Sequence, residues 1–148
     1  MLKSLDPILS PDLLHTLRAM GHGDEIAIVD ANFPAVSNAR RLVRLDGVTA
    51  TRALEAVLSV LPLDDFVPCA AFRMAVVGDA TADMPIDSEF RQILARHEHG
   101  KAAMLGALER HDFYARAKNA YAIVATTETR LYGNILLVKG VIRPPSHG

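Results

Sequence analysis

The 148-residue sequence has no tryptophan, a single cysteine and few aromatic residues of any kind (5%). So little aromatic surface offers no stacking platform for single-stranded nucleic acid. The charges nearly cancel, with 16 Lys and Arg against 17 Asp and Glu. A net charge of -1 leaves no basic footprint for a phosphate backbone. The lone Cys69 has no partner within the chain, which excludes a disulfide framework. It follows Pro68 in an apolar stretch and reads as a small core residue. No apolar run is long enough to span a membrane. The opening residues Met1-Leu2-Lys3-Ser4 lack an apolar signal core, so the expected compartment is the cytoplasm.

What is present is an ordinary globular balance, half apolar and 22% charged with both signs mixed. The length suits one domain over residues 1–148, able to bury roughly 70% of its unfolded surface without a metal or disulfide. Ser10-Pro11-Asp12 starts a helix with Leu13, Leu14, Leu17 and Met20 on one face, stopped at Gly21. Glu25 to Val29 is a strand ending near Asp30, followed by the interruption Asn32-Phe33-Pro34 and a turn at Asp46-Gly47. Thr49 or Thr51 caps a helix carrying Leu54, Val57, Leu58 and Leu61, which Pro62 ends.

Pro68 to Val77 reads as a strand, and Asp87 as the cap of a helix bearing Phe90, Ile93 and Leu94. Ala102 to Leu108 is a further strand and Asp112 to Asn119 a short helix. Tyr121–Thr126 and Asn134–Val141 are strands rich in Ile, Val, Leu and Tyr, and the turn-rich Thr127–Gly133 between them predicts a hairpin. The alternation predicts a single α/β domain, a mostly parallel sheet flanked by helices with a C-terminal antiparallel hairpin.

Ligands of open α/β sheets gather beyond the carboxyl ends of the strands. Asp30 closes the first strand, Arg110 follows the strand around Leu108, and Tyr132 and Asn134 would return to that edge through the hairpin. His22 belongs to the loop entering the first strand, at the opposite edge. It meets the others only if its loop curls around or if a subunit boundary brings it there. Each residue also has a plain reading: an exposed loop histidine, a capping aspartate, a solvated arginine, and turn chemistry for Tyr132-Gly133-Asn134. The glycines around His22 suggest close backbone approach. His97-Glu98-His99 is a poor metal motif, since neighbours of this kind diverge on a helix or strand. His15 and His147 read as surface residues, and His111 as a minor neighbour of Arg110.

Several motifs in order carry a wider resemblance. They are Leu9-Ser10-Pro11-Asp12-Leu13-Leu14, Met20-Gly21-His22-Gly23-Asp24-Glu25-Ile26, Asp30-Ala31-Asn32-Phe33-Pro34-Ala35, Arg44-Leu45-Asp46-Gly47, Phe113-Tyr114-Ala115-Arg116-Ala117 and Tyr132-Gly133-Asn134-Ile135-Leu136-Leu137. The sequence resembles the D-ribose pyranase/L-fucose mutarotase family, and its fucose branch in particular. Only residues 66–101 match loosely.

The resemblance implies that His22 is the catalytic proton donor and that Asp30 binds sugar. It implies further sugar contacts from Arg110, Tyr132, Gly133 and Asn134, no cofactor or metal, and a ring-like homo-oligomer, commonly a decamer, with sites near subunit contacts. Such residues suit anomer exchange of a monosaccharide such as L-fucose. An imidazole moves protons in either direction near neutral pH, while a carboxylate, an amide and a guanidinium hold ring hydroxyls. Two alternatives stand beside this: a non-catalytic sugar-binding protein linked to uptake, and a ribose pyranase. An intact His22 leans against the first, and Arg110 with Tyr132-Gly133-Asn134 against the second.

Overall fold

The computed structural model describes residues 1–146, so His147 lies outside the described residues. A six-stranded sheet runs in the order β2-β5-β1-β6-β3-β4. Its strands are β1 (Glu25–Val29), β2 (Leu42–Leu45), β3 (Ala71–Met74), β4 (Leu105–Leu108), β5 (Ala122–Thr126) and β6 (Ile135–Val138). The helices are α1 (Pro11–Ala19), α2 (Ala35–Asn38), α3 (Ala50–Leu58), α4 (Pro85–His97) and α5 (Arg110–Asn119). β1 is parallel to β5, β5 to β2 and β3 to β4, while β6 runs antiparallel to both β1 and β3.

β1 is central because both of its faces are apolar. Ile26 and Ile28 point to one side and Ala27 and Val29 to the other, as the two-residue pleat requires, and all four are fully buried. The first side packs against α1, α3 and α4 through Leu13, Leu54, Val57, Ile86, Phe90 and Leu94. The second packs against α2 and α5 through Ala35, Phe113 and Ala117. Phe90 and Phe113 are the largest fully buried side chains, one in each layer, and each contributes roughly 1.5–3 kcal/mol by leaving water.

The helix starts follow local chemistry. Ser10 Oγ accepts the Leu13 N–H and Thr49 Oγ1 the Arg52 N–H, so Thr49, not Thr51, caps α3.

The hairpin expected at the C-terminus does not form. β1 lies between β5 and β6, and the antiparallel partners of β6 are β1 and β3. A strand apolar on both faces gains more from neighbours on both sides than a seven-residue loop gains from closing locally.

Other differences are smaller. β2 and α2 fill the stretch between Pro34 and the Asp46-Gly47 turn, where no element is predicted from the sequence. Met84, not Asp87, precedes α4, and Asp87 reaches back to accept the Met84 N–H. The strand expected from Ala102 begins at Leu105 after a short 3-10 turn over Gly100–Ala103. Cys69 is half-buried, its thiol against the Ala71 carbonyl, rather than in the core.

Candidate functional site

Five strands run one way and β6 the other. The carboxyl ends of β1, β3 and β4 therefore meet the amino end of β6 at one sheet edge. A cleft of about 310 Å³ opens there, within the range of small-molecule sites. Asp30 enters it from β1, Met74 and Val77 from β3, Arg110 and Tyr114 from α5, and Tyr132 and Asn134 from the segment before β6. The sequence placed Asp30, Arg110, Tyr132 and Asn134 at one edge, and the fold brings them together without a hairpin.

Asp30 and Asn134 are the buried polar pair at its base, 6% and 4% exposed. The Asp30 N–H donates to Asn134 Oδ1 at 2.8 Å, and Asn134 Nδ2 donates to Asp30 Oδ2 at 3.0 Å. Asp30 Oδ1 accepts the Asn32 N–H at 3.0 Å. Burial pushes the Asp30 carboxyl above the ordinary range, against the backbone N–H groups of Asn32 and Phe33 and the Asn134 amide, which pull it back. The Asp30 carboxylate thus lines the cleft already bonded to Asn32 and Asn134. The Asn134 amide is largely committed to Asp30 and acts through it.

Tyr132 holds a φ of +59°, a left-handed conformation that costs a side-chain-bearing residue on the order of 1 kcal/mol. Its hydroxyl oxygen accepts the Val77 N–H at 3.1 Å, which leaves the phenolic proton free to donate. Gly133 has no room for a side chain. A Cβ there would sit 2.7 Å from Glu128 Cγ and 3.3 Å from Asp30 Cβ.

Arg110 is the first residue of α5, with its guanidinium 5.4 Å from the Tyr114 ring one helical turn on. Tyr114 stacks on Phe33 at 4.9 Å. Tyr114 and Phe33 form an apolar shelf that the sequence reading did not assign, although Tyr114 is the i+4 neighbour of Arg110.

His22 stands at the other end of β1. Five strand residues put roughly 17 Å between the two sheet edges. The imidazole is half-exposed, with Nε2 3.2 Å from Asp64 Oδ1. Asp64 is buried and also accepts the Phe66 N–H at 3.0 Å. The Phe66 ring lies 5.5 Å from the imidazole and is itself 62% exposed. Asp64 therefore orients His22, a role that only the tertiary fold reveals.

The His22 loop is tied to β6: the Gly23 N–H donates to the Lys139 carbonyl and the Lys139 N–H to the Asp24 carbonyl, both at 2.9 Å. Gly23 has a φ of +86° and open space at its Cβ position. Its glycine serves the turn rather than the close approach read from the sequence.

The remaining histidines lie elsewhere. His97 Nε2 pairs with Glu55 Oε1 at 2.7 Å, Glu98 takes the Leu63 N–H, and His15 and His111 are exposed. Among the described residues, no three His, Cys, Asp or Glu are grouped to hold a metal ion. Nor is any helix long and apolar enough to cross a membrane.

A second cleft of about 460 Å³ lies on the β2 and β5 side of Asp30. It shares Asp30, but its other charged residues, Arg44 and Asp46, are exposed and pair with each other; the smaller cleft, which adds Asn134, Tyr132 and Arg110 to Asp30, is the better-built site.

Residues 3–142 match the RbsD / FucU transport protein family. A fucose mutarotase of Homo sapiens is 45% identical over 147 residues, covering 95% of this chain and 94% of that protein. An L-fucose mutarotase of Haemophilus influenzae is 41% identical over 141 residues, covering 95% and 97%. The crystal structure of the fucose mutarotase from Streptococcus pneumoniae in complex with L-fucose superimposes with a TM-score of 0.88 at 46% identity, covering 96% of this chain and all of that one (100%). With a matching domain over nearly its whole length and these relatives, the chain belongs to the RbsD/FucU family.

Proposed function

We propose that the protein is an L-fucose mutarotase whose site is completed across a contact between two copies. The carrying observation is the separation of its parts: the proposed sugar-holding groups lie at one sheet edge and His22 at the other. A copy docked head to tail would present its His22–Asp64 pair to its neighbour's Asp30 cleft. A ring-like homo-oligomer, which the family resemblance implies, can be built from such head-to-tail contacts. The likeness to fucose mutarotases supports the sugar and the reaction.

In the reaction the anomeric hydroxyl loses a proton, the ring oxygen gains one, and the bond between C1 and the ring oxygen breaks. The open-chain aldehyde turns about C1–C2, and the same hydroxyl adds to the other carbonyl face, restoring both protons. His22 moves the proton, held in place by Asp64. Asp30 accepts from sugar hydroxyls, Tyr132 and Arg110 donate to them, and the Tyr114–Phe33 shelf packs against an apolar face of the sugar.

The test combines two variants, His22→Gln and Asp30→Asn, each expected to be weak alone at sugar below KM. Their co-assembled mixture should recover about a quarter of wild-type exchange, because a head-to-tail contact pairs the two intact halves in one case in four. Exchange is read by saturation-difference NMR on L-fucose. No recovery in the mixed oligomer rejects the shared site. A wild-type protein that binds L-fucose without accelerating exchange is instead a sugar-binding protein.

A further inference from the structure

We propose that Glu128 is a positioning residue of the sugar site: its buried carboxylate, behind the cleft wall, fixes both Asp30 and the Tyr132–Gly133–Asn134 turn in their binding geometry. The proposal rests on the reading of that cleft as the sugar site.

Glu128 is 2% exposed in a segment of threonines and turn residues. Its carboxylate accepts four N–H groups: Ala50 N at 3.3 Å, Arg130 N at 3.1 Å, Arg130 Nε at 3.0 Å and Arg130 Nη2 at 3.2 Å. Ala50 opens α3, so the charge also sits at the positive end of a helix.

From this anchor, two arms reach the site. In the first, the Glu128 carbonyl accepts the Ala31 N–H at 2.8 Å. The Glu128 N–H donates to Thr126 Oγ1, which donates to the Val29 carbonyl at 2.7 Å. Both chain neighbours of Asp30 are thus held by residues 126–128. In the second, the chain wraps the carboxylate from Glu128 to Arg130 and returns so that Gly133 rests on the Glu128 stem, with no space for a methyl group. Tyr132 and Asn134 flank that contact. Glu128 itself lines neither the cleft nor the His22 end, so it acts through these residues.

Three charged groups bear on the carboxylate. Arg130 lies in its own segment, Glu89 of α4 pairs with the far side of Arg130, and Asp30 lies across Gly133. Burial alone would raise the Glu128 carboxyl; the Arg130 bonds outweigh it and hold the group below its ordinary range.

The experiment measures KM and kcat for L-fucose anomer exchange on the assembled full-length protein. Glu128→Gln keeps the shape but turns an N–H₂ group toward donors. Its KM should rise about tenfold, with kcat within about twofold of wild type, because the His22 end is untouched. Asp30→Asn is measured beside it. If Asp30→Asn raises KM and Glu128→Gln does not, or if Glu128→Gln lowers kcat at unchanged KM, the proposal is overturned. If Asp30→Asn also leaves KM unchanged, the sugar-site reading has failed, and the proposal with it.

Arg130→Met, at a partly exposed position, decides the matter if Glu128→Gln does not fold. Without the guanidinium, burial lifts the Glu128 carboxyl. The acid-side rise in KM, set by Asp30 in wild type, should then begin at a higher pH because the protonated Glu128 no longer holds the Asp30 turn. An unmoved acid limb rejects the proposal.

Discussion

The two ends of β1 are built on opposite plans. At its carboxyl end Asp30 is buried, bonded to Asn134 on both its backbone and its side chain, and backed by Glu128. At its amino end His22 stands half-exposed on a glycine turn with one buried carboxylate beside it. The first arrangement spends its hydrogen bonds on fixing geometry, which is what directed binding of hydroxyls requires. The second keeps an imidazole open to solvent, which suits the proton exchange proposed for it.

Substitutions at the two ends should therefore separate kcat from KM. The largest effect belongs to His22→Gln, which should lower kcat about a thousandfold with L-fucose affinity retained. Titration calorimetry beside NMR exchange would check both halves, and unchanged exchange would remove His22 from the mechanism. Asp64→Asn should follow, lowering kcat about tenfold through loss of imidazole orientation with KM unchanged. A rise in KM alone would place Asp64 on the binding side instead.

Asp30→Asn should raise KM about tenfold and leave kcat nearly intact, since a charge-accepting group is lost from the binding end. Acidity sharpens that contrast. On the sugar-site reading, ionised Asp30 is the stronger acceptor for a sugar hydroxyl, and burial holds its carboxyl above the ordinary range. KM should therefore rise as pH falls through that raised value, while exposed carboxylates are still ionised. Asp30→Asn should flatten this limb. The folding linkage has the opposite sign: the folded state holds the Asp30 proton more tightly, so this contribution to stability is present below the unfolded value and is lost as pH rises through the folded one.

The smallest effect is Tyr132→Phe, which removes the acceptor of the exposed Val77 N–H and one donor to the sugar. About a threefold rise in KM is expected, and a melting curve should hardly move.

Legibility in the sequence divides along similar physical lines. Features set by neighbours in the chain could be read directly: the Ser10 cap, a threonine cap at Thr49 or Thr51, and the apolar strands β1 and β5; Tyr132 and Asn134 are expected at the edge of Asp30 and Arg110, but through a hairpin that does not form. β2 escaped because its four residues, Leu-Val-Arg-Leu, stand among Arg40, Arg41 and Asp46 and bury only alternate side chains, as an edge strand can. The false hairpin came from turn chemistry that is real in Thr127–Gly133 but closes no strand pair; long-range pairing with β1 prevails. Asp64, Tyr114 and Glu128 look like ordinary residues of a Leu-Asp-Asp stretch, an amphipathic helix and a polar turn. Their contacts with His22, Phe33 and Gly133 are made by the tertiary fold, and no local pattern encodes them. Cys69 reads as core from its residue type and its apolar stretch, yet its neighbour β4 is an edge strand that leaves it half covered.

The backbone ties from Lys139 to Gly23 and Asp24 have a consequence for how the protein is used. They anchor the histidine loop to the middle of the sheet, so it cannot swing about 17 Å to serve its own chain's cleft. On the shared-site reading, turnover per chain then obeys mass action: it should be constant while the oligomer is intact and fall steeply on dilution below its dissociation constant.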